Sequence, residues 1–315
     1  CEERDYNLEI DPAYADAEFS IAEAKQFTDG LNLPFEVRDY QLDAFAHAIK
    51  KKRALMLSPT ASGKSLIIYL LAEYLKRKTL IIVPTISLVQ QMAGDFKSYG
   101  YQDDPHMITA GVEKDVDNPI VISTWQSIHK MPKKWFEQFD LVIGDEAHLF
   151  KSKSLTSIMT KTVGTEYKFG FTGTLDGTVT HKLVLEGLFG AVEKVITTDE
   201  LIKKGTLAEF NVKCLELQYP DEIKKLHAKD KYQDEVDFLV RNESRNRFLK
   251  NLAISLQGNT LLLYQFVEKH GKPLFLEIKN AIDSSVEKDR PVFFVSGEVD
   301  GDAREEIRAL VEQID

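Results

Sequence analysis

Five short apolar runs punctuate the chain between residues 53 and 171: Arg53 to Ser58, Thr79 to Val83, Ile120 to Ser123, Leu141 to Gly144 and Tyr167 to Phe171. Most are uniformly apolar rather than alternating, so they read as strands covered on both faces. Longer segments separate them. In Ser65 to Lys76 and Ser87 to Tyr99 the apolar residues recur at helical spacing. Buried strands alternating with helices predict an α/β fold, a doubly wound parallel sheet, over residues 35–205. Residues 1–34 are acidic and patchy and read as an appendage. Within them Glu18 to Phe27 predicts a short amphipathic helix, closed by Gly30 and Pro34. A second unit, residues 206–315, opens with the alternating run Phe210 to Leu217. It continues through the charged, helical stretch Pro220 to Leu256 and two further strand-like runs, Asn259 to Gln265 and Arg290 to Val295, with the helix-like Lys269 to Ile282 between them. This is expected to be the beginning of another α/β domain, with too few strands by Asp315 to close a sheet.

Composition narrows the partners. Forty Lys plus Arg against 50 Asp plus Glu give a net charge of −10. A protein that coats nucleic acid by bulk charge is thereby excluded, although a local strip of contacts is not. Two cysteines, Cys1 and Cys214, cannot build a disulfide framework or a Cys-rich zinc site. No apolar stretch is long enough to span a bilayer, and no charged-then-apolar signal opens the chain. A reducing cytoplasm, the host's if the protein is viral, is the expected compartment.

The strongest local signal is Ser58-Pro59-Thr60-Ala61-Ser62-Gly63-Lys64-Ser65, between a buried strand and a helix. That is the context of a phosphate loop, with Ser58 in place of the first glycine of G-x-x-x-x-G-K-[ST]. Backbone N–H groups of Thr60, Ala61, Ser62 and Gly63 and the following helix N-terminus would cradle phosphate oxygens. Lys64 would reach the β- and γ-phosphates of ATP, and the Ser65 hydroxyl would ligate Mg²⁺. The second signal is Asp145-Glu146-Ala147-His148, directly after Leu141 to Gly144. Adjacent acids at a strand end place a Mg²⁺-binding carboxylate, Asp145, beside a carboxylate that can deprotonate water, Glu146. Either motif alone also reads as a polar turn. Together, about eighty residues apart at strand ends in a chain of alternating strands and helices, they point to nucleotide hydrolysis.

With these motifs in place the chain, from about Arg38 to its end, resembles the superfamily 2 helicases, which implies RecA-like motor domains, the second one partial here. Tyr40 and Gln41, within Arg38-Asp39-Tyr40-Gln41, are similar to the family's adenine-recognising segment, the alternative for Gln41 being an exposed helix residue. Pro84 and Thr85, with Gln90 and Gln91, resemble motif Ia, and Thr124, Trp125 and Gln126 the next strand-end motif. The resemblance makes these contacts to the sugar-phosphate backbone of a tracked DNA strand, with Trp125 either stacking on a base or supporting the loop. Phe171-Thr172-Gly173-Thr174 resembles motif III, giving Thr172 and Thr174 a role in coupling ATP state to DNA grip. His148 is either a structural hydrogen-bonder or, as the resemblance implies, a coupling residue that meets the second domain. The lysines at 151 and 153 read equally as DNA-facing or solvated.

Details of the second unit, such as Val267 to Lys272 and Val295 to Asp300, are similar to a phage recombination branch of the family. That branch implies branched or forked DNA and RNA–DNA hybrid loops as substrates, with recombination and single-strand-binding proteins as partners. Motifs V and VI, including the arginine expected to meet the γ-phosphate, are placed beyond Asp315; Arg304 and Arg308 precede that point. Three rival readings share parts of the pattern. A kinase built on a phosphate loop would not carry the strand-end motifs at Pro84, Thr124 and Thr172. A restriction-type motor subunit would share every motor motif. An ATP-gated clamp with little turnover has no use for an intact Glu146.

Overall fold

The computed structural model describes residues 16–109, 111–114, 117–285 and 290–314; the part of the N-terminal appendage before Asp16 lies outside the described residues. The chain divides into two compact units, Cys1–Phe210 and Asn211–Asp315.

The first unit is built on a seven-stranded sheet. In chain order the strands are β1 (Arg53–Leu57), β2 (Thr79–Val83), β3 (His106–Ile108), β4 (Ile120–Thr124), β5 (Leu141–Asp145), β6 (Tyr167–Thr172) and β7 (Val192–Lys194). Their order across the sheet is β3-β4-β2-β5-β6-β1-β7, and every pairing is parallel. Parallel strands need crossovers, and helices provide them. Those around the sheet are α1 (Ile21–Gly30), α2 (Asp39–Lys51), α3 (Lys64–Leu75), α4 (Ile86–Ser98), α5 (Trp125–Ile128), α6 (Lys133–Phe136), α7 (Lys153–Lys161), α8 (Val179–Phe189) and α9 (Thr198–Lys203).

The apolar runs divide between two cores by strand alternation. Ile81, Ile143, Phe169 and Phe171 join Phe45 of α2 and Ile67 and Leu70 of α3 on one face. Leu80, Ile82 and Val142 join Phe136, Phe150 and Phe189 on the other. Each fully buried side chain of this kind contributes about 1.5–3 kcal/mol, which fixes the register of the central strands. The five predicted strands form within one residue of their expected ends. The two edge strands, β3 and β7, are three residues each and carry partly exposed or charged side chains, so no apolar run announces them. α1 starts at Ile21 rather than Glu18 because Ser20 and Glu23 form a reciprocal capping box.

The second unit differs from expectation. It contains α10 (Asp221–His227), α11 (Tyr232–Arg241), α12 (Glu243–Ser255), α13 (Lys272–Asp283) and α14 (Gly301–Gln313). Its small core is Leu274, Ile278 and Ile282 of α13 with Leu249, Ala253 and Ile254 of α12. The strands expected at Phe210 to Leu217, Asn259 to Gln265 and Arg290 to Val295 do not form among the described residues. The last two runs meet through side chains instead: Tyr264 and Phe294 stack at 5.3 Å, and the Tyr264 hydroxyl donates to the Val295 carbonyl at 2.5 Å. Without a backbone ladder on both sides the apolar side chains stay open, and Leu261 and Leu263 are more than 80% exposed. Cys214, inside the run Phe210 to Leu217 that was expected to form a strand, is free and exposed.

Gly190 ends α8 with φ +116, and a Cβ there would lie 2.6 Å from the backbone oxygen of Arg53 in β1. Backbone on both sides leaves nothing to swing aside. Gly190→Ala is expected to lower the unfolding free energy of the first unit by about 1–3 kcal/mol, read as a lower urea midpoint at unchanged slope.

Candidate active site

In a parallel sheet all carboxyl ends emerge on one edge, and here β6 stands between β1 and β5. The loop after β1 and the acids after β5 therefore rise on either side of Thr172, the last residue of β6. Ser58 continues the ladder, its N–H donating to the Thr172 carbonyl at 2.8 Å.

The loop is held by its own side chains. Ser62 Oγ donates to the Pro59 carbonyl at 2.6 Å, so the 2.6 Å contact between Ser58 Oγ and Ser62 Oγ has Ser58 as donor. Ser58, fully buried, thus supplies a brace that a glycine at this position lacks. From α2, Gln41 Nε2 and the Tyr40 hydroxyl both donate to the Ser62 carbonyl, at 2.9 and 3.1 Å. Gln41 Oε1 accepts the Arg38 N–H at 3.0 Å, and the Tyr40 hydroxyl accepts from Arg38 Nη1 at 2.8 Å. Gln41 is buried with both amide ends engaged, so it is not the exposed helix residue that the sequence left open. Ala61 and Gly63 are left-handed, at φ 62 and φ 80, and a Cβ on Gly63 would collide with Gln41 Nε2. The loop leaves Thr60 and Ala61 exposed at its tip.

Lys64 begins α3, and its ammonium lies 3.7 Å from Glu146 Oε1. Asp145, 7% exposed, has a buried Oδ1 with no hydrogen-bond partner among the described residues. Burial pushes its carboxyl above the usual carboxylate range, opposed by the nearby Lys64 ammonium and the Glu146 N–H. A buried hard oxygen without a donor, beside a cation, suits a divalent metal ion, so the donor set fits Mg²⁺. The other expected ligand is turned away: the Ser65 hydroxyl lies 2.8 Å from the Tyr99 hydroxyl, with Asp95 as its second neighbour on α4. Neither partner was anticipated, because only the fold brings α4 against the start of α3.

Glu146 is left-handed, φ 51 and ψ 49, and opens the 3-10 turn Ala147–Lys151. His148 Nδ1 lies 3.0 Å from Thr172 Oγ1 and 3.3 Å from Glu146 Oε2. Since the Thr172 hydroxyl donates to the Thr174 carbonyl at 3.0 Å, His148 must donate, which places its proton on Nδ1. The acidic turn and the end of β6 are thereby joined side chain to side chain, while Thr174 itself is exposed.

The expected strand-facing residues gather on the neighbouring ends of β2 and β4. Gln126 Nε2 donates to the Pro84 carbonyl at 3.3 Å, linking the two strand ends. Thr85 caps α4 by accepting the Leu88 N–H; Thr85, Gln90, Gln91 and Gln126 are exposed. Thr124 is not available: as the last residue of a fully buried strand it is 4% exposed, with its hydroxyl 2.9 Å from Ser127 Oγ. Trp125 is half-buried, edge-on to His129 and packed on the second core, the loop-supporting alternative. Lys153 is exposed at the start of α7; the Lys151 side chain lies outside the described residues.

A phosphate loop, a paired-acid turn and Thr172 thus stand on neighbouring strand ends, and comparison with known proteins shows that the chain belongs to the superfamily 2 helicases. Residues 34–177 match the family described as "Type III restriction enzyme, res subunit". The chain is 35% identical, over 99% of its length, to the ATP-dependent DNA helicase UvsW of Enterobacteria phage T4, and spans 64% of that protein. It is 30% identical over 60% of its length to the DNA 3'-5' translocase XPB2 of Sulfurisphaera tokodaii, spanning 42% of it. A crystal structure of the UvsW helicase from bacteriophage T4 superposes with a TM-score of 0.56 at 36% identity, over 62% of this chain and 74% of that one.

Because burial raises the folded-state carboxyl of Asp145 above its unfolded value, the folded protein holds that proton more tightly. Its contribution to stability is then favourable at acid pH and is lost as pH rises through the folded value. At neutral pH the ionised side chain costs stability. Asp145→Asn is expected to stabilise the nucleotide-free protein at pH 7 by up to about 2 kcal/mol while removing Mg²⁺-dependent nucleotide binding. A lower urea midpoint for the variant at pH 7 would contradict this.

Proposed function

We propose that this chain carries the ATP-hydrolysing part of a DNA translocase or helicase that acts on branched DNA in phage recombination, repair and replication. The observation that carries the reading is the approach of Lys64 to Glu146, 3.7 Å, beside the buried and unpartnered Asp145. We read residues 35–205 as the nucleotide-binding motor domain and 206–315 as part of a second.

The roles we assign are as follows. The N–H groups of the loop from Thr60 to Gly63 bind phosphate oxygens, and Gln41 and Tyr40 hold the loop open for them from α2. Gln41 and Tyr40 are the residues we assign to adenine recognition. Lys64, 3.7 Å from Glu146 Oε1, reaches the β- and γ-phosphates. Glu146 orients a water and accepts its proton. Asp145, and Ser65 once its hydroxyl leaves Tyr99, would hold a Mg²⁺ ion that neutralises phosphate charge. His148, Thr172 and Thr174 relay the state of the acidic turn along the end of β6. Thr85, Gln90, Gln91 and Gln126 offer an uncharged polar edge for the sugar-phosphate backbone, which is bound without reading bases. A reducing host cytoplasm suits a protein with an exposed free thiol at Cys214.

Glu146→Gln keeps the shape of the side chain and removes the base. ATP should still bind, and DNA-stimulated turnover of the full-length protein should fall by roughly 10²–10⁴. Lys64→Ala should lose nucleotide binding as well. Equal binding loss in both variants would assign Glu146 a structural part.

The proposed DNA contacts Thr85, Gln90, Gln91 and Gln126 are uncharged, so affinity should fall with salt only gently. Each neutralised phosphate adds roughly 0.7–0.9 to the slope of log affinity against log salt, and a slope of only a few units is expected. Matched linear, forked and four-way DNAs of scrambled sequence test the substrate class. Stronger ATPase stimulation by the branched forms is expected; equal stimulation by all three would remove branched-DNA remodelling, and dependence on base sequence would defeat backbone tracking.

A further inference from the structure

The contacts proposed for the tracked strand are uncharged, and the chain as a whole carries a net charge of −10. Two runs of consecutive cations lie instead at the opposite end of the sheet. Lys50-Lys51-Lys52-Arg53 leads into β1, and Lys76-Arg77-Lys78 leads into β2. In the order β2-β5-β6-β1 these strands are three spacings apart, which sets the runs about 14 Å from each other. The strands between them join the runs into one surface. At the start of β5 the Asp140 and Leu141 N–H groups donate to the Lys78 carbonyl at 3.1 and 3.3 Å, and the Lys168 N–H of β6 donates to the Lys52 carbonyl at 3.0 Å. Burial raises the Tyr167 hydroxyl above the usual phenol range, and the charges of Lys52 and Arg77 both oppose that rise, so both cations lie near this central ring.

Local structure explains only part of this charge. Lys50 and Lys51 in the last turn of α2, and Lys76 at the C-cap of α3, complement the helix macrodipoles. Lys51, Lys52 and Lys76 also pair with Asp16, Glu166 and Glu73. Arg53 and Lys168 have neither explanation. They stand opposite each other in register across β1 and β6, and like charges so placed are destabilising. Lys168 is 4% exposed and has no carboxylate partner among the described residues; burial and the Arg53 guanidinium push its ammonium down to about 8. The Arg53 side chain donates to the Thr165 carbonyl, not to an acid. Lys50 and Arg77 are exposed, with no ion pair among the described residues. Beyond β2 the same edge turns acidic, with Asp117 before β4 and Asp103 and Asp104 before β3, so the cations are confined to four strands.

An anionic partner would offset this repulsion, and the spacing selects its kind. Neither run contains an aromatic residue on which a base could stack, as single-strand grooves do. Two cation runs about 14 Å apart match the rims of a duplex groove, about 12 Å wide for the major groove. We propose that the amino edge of the sheet, from the run before β2 to the run before β1, is a second DNA surface that holds the phosphate backbone of a duplex arm. β1 is five residues long, so this edge lies roughly 16 Å along the strand from the phosphate loop. One motor domain then engages two arms of a branched DNA, the tracked strand at one end of its sheet and a duplex at the other. That use in remodelling rests on the function proposed above; duplex binding by the amino edge does not.

Two measurements on the full-length protein test it. In the first, lysine acetylation by acetic anhydride is followed by mass spectrometry, with and without a linear duplex and a four-way DNA. Bound DNA is expected to slow acetylation of Lys50, Lys51 and Lys76. Unchanged acetylation of these lysines on DNA-bound protein overturns the surface, and that reading needs no variant to fold. Protection by poly-glutamate and not by DNA assigns the edge to an acidic protein and overturns the proposal equally. The second measurement compares duplex affinity across salt concentrations for the wild type and for Lys50→Gln/Lys76→Gln/Arg77→Gln, whose altered side chains are all exposed. The slope of log affinity against log salt should become shallower by about 2–3 units, from three phosphate contacts at roughly 0.9 each. An unchanged slope in a variant with the wild-type urea midpoint overturns the surface. ATPase assays separate the two readings. Protection and slope loss, with equal stimulation by linear and four-way DNA, keep the duplex surface and sink branched-DNA remodelling. Stronger stimulation by four-way DNA without protection keeps remodelling and sinks the amino-edge surface.

Discussion

Asp145 sets the terms for the first unit: a carboxylate at the end of a buried strand, costly to ionise there, with one oxygen that no protein donor meets. Such a group is retained against its effect on stability where a cation is to be held. The sheet order brings the phosphate-loop lysine within reach of the same acids. With neighbouring strands about 4.8 Å apart, the ends of β5 and β1 are roughly 10 Å apart across β6, and a lysine at the start of α3 spans most of that interval. The Lys64 ammonium accordingly arrives at Glu146. Were β6 not inserted between the two strands, Thr172 could not stand between loop and acids to receive His148.

Around this centre the backbone is held in conformations it would not choose alone. Ala61 and Glu146 are left-handed without being glycine, one on each side of the site. Each is surrounded by restraints that originate elsewhere in the chain. The Ser62 carbonyl, next to Ala61, receives two donors from α2. The turn after Glu146 is held by Thr172, by Phe189 and by His181. α2, α8 and the end of β6 therefore do for the loop and the turn what sequence-local interactions cannot: they keep strained segments in one arrangement before any ligand arrives.

The central strands and the two chemical turns were legible because their physics is local in sequence. An apolar run of five residues announces a strand buried on both faces, and Gly-Lys-Ser or Asp-Glu at its end announces the edge where ligands bind. What escaped depends on contacts between distant segments. Ser58 read as a departure from the phosphate-loop pattern, whereas its hydroxyl braces the loop through Ser62. Thr124 read as a contact to the sugar-phosphate backbone, whereas it finishes a strand buried to its last residue. Asp95 and Tyr99 meet Ser65 only because α4 packs beside α3. His181 is one of seven histidines with no metal-ligand spacing to mark it. In the second unit the same apolar-run rule failed. Asn259 to Gln265 and Arg290 to Val295 carry strand-like side chains but meet through rings rather than a ladder, and periodicity reports burial potential, not the presence of a pairing partner.

The central claim is that one Mg²⁺-dependent nucleotide site lies on the carboxyl edge between β1 and β5. Amide hydrogen exchange of this chain, with and without Mg²⁺ and ADP, tests it most directly. The account predicts protection concentrated in three segments far apart in sequence, Arg38 to Gln41, Ser58 to Leu66 and Asp145 to His148, and absent when Mg²⁺ is withheld. Protection confined to other segments, or identical protection without the metal, would contradict it.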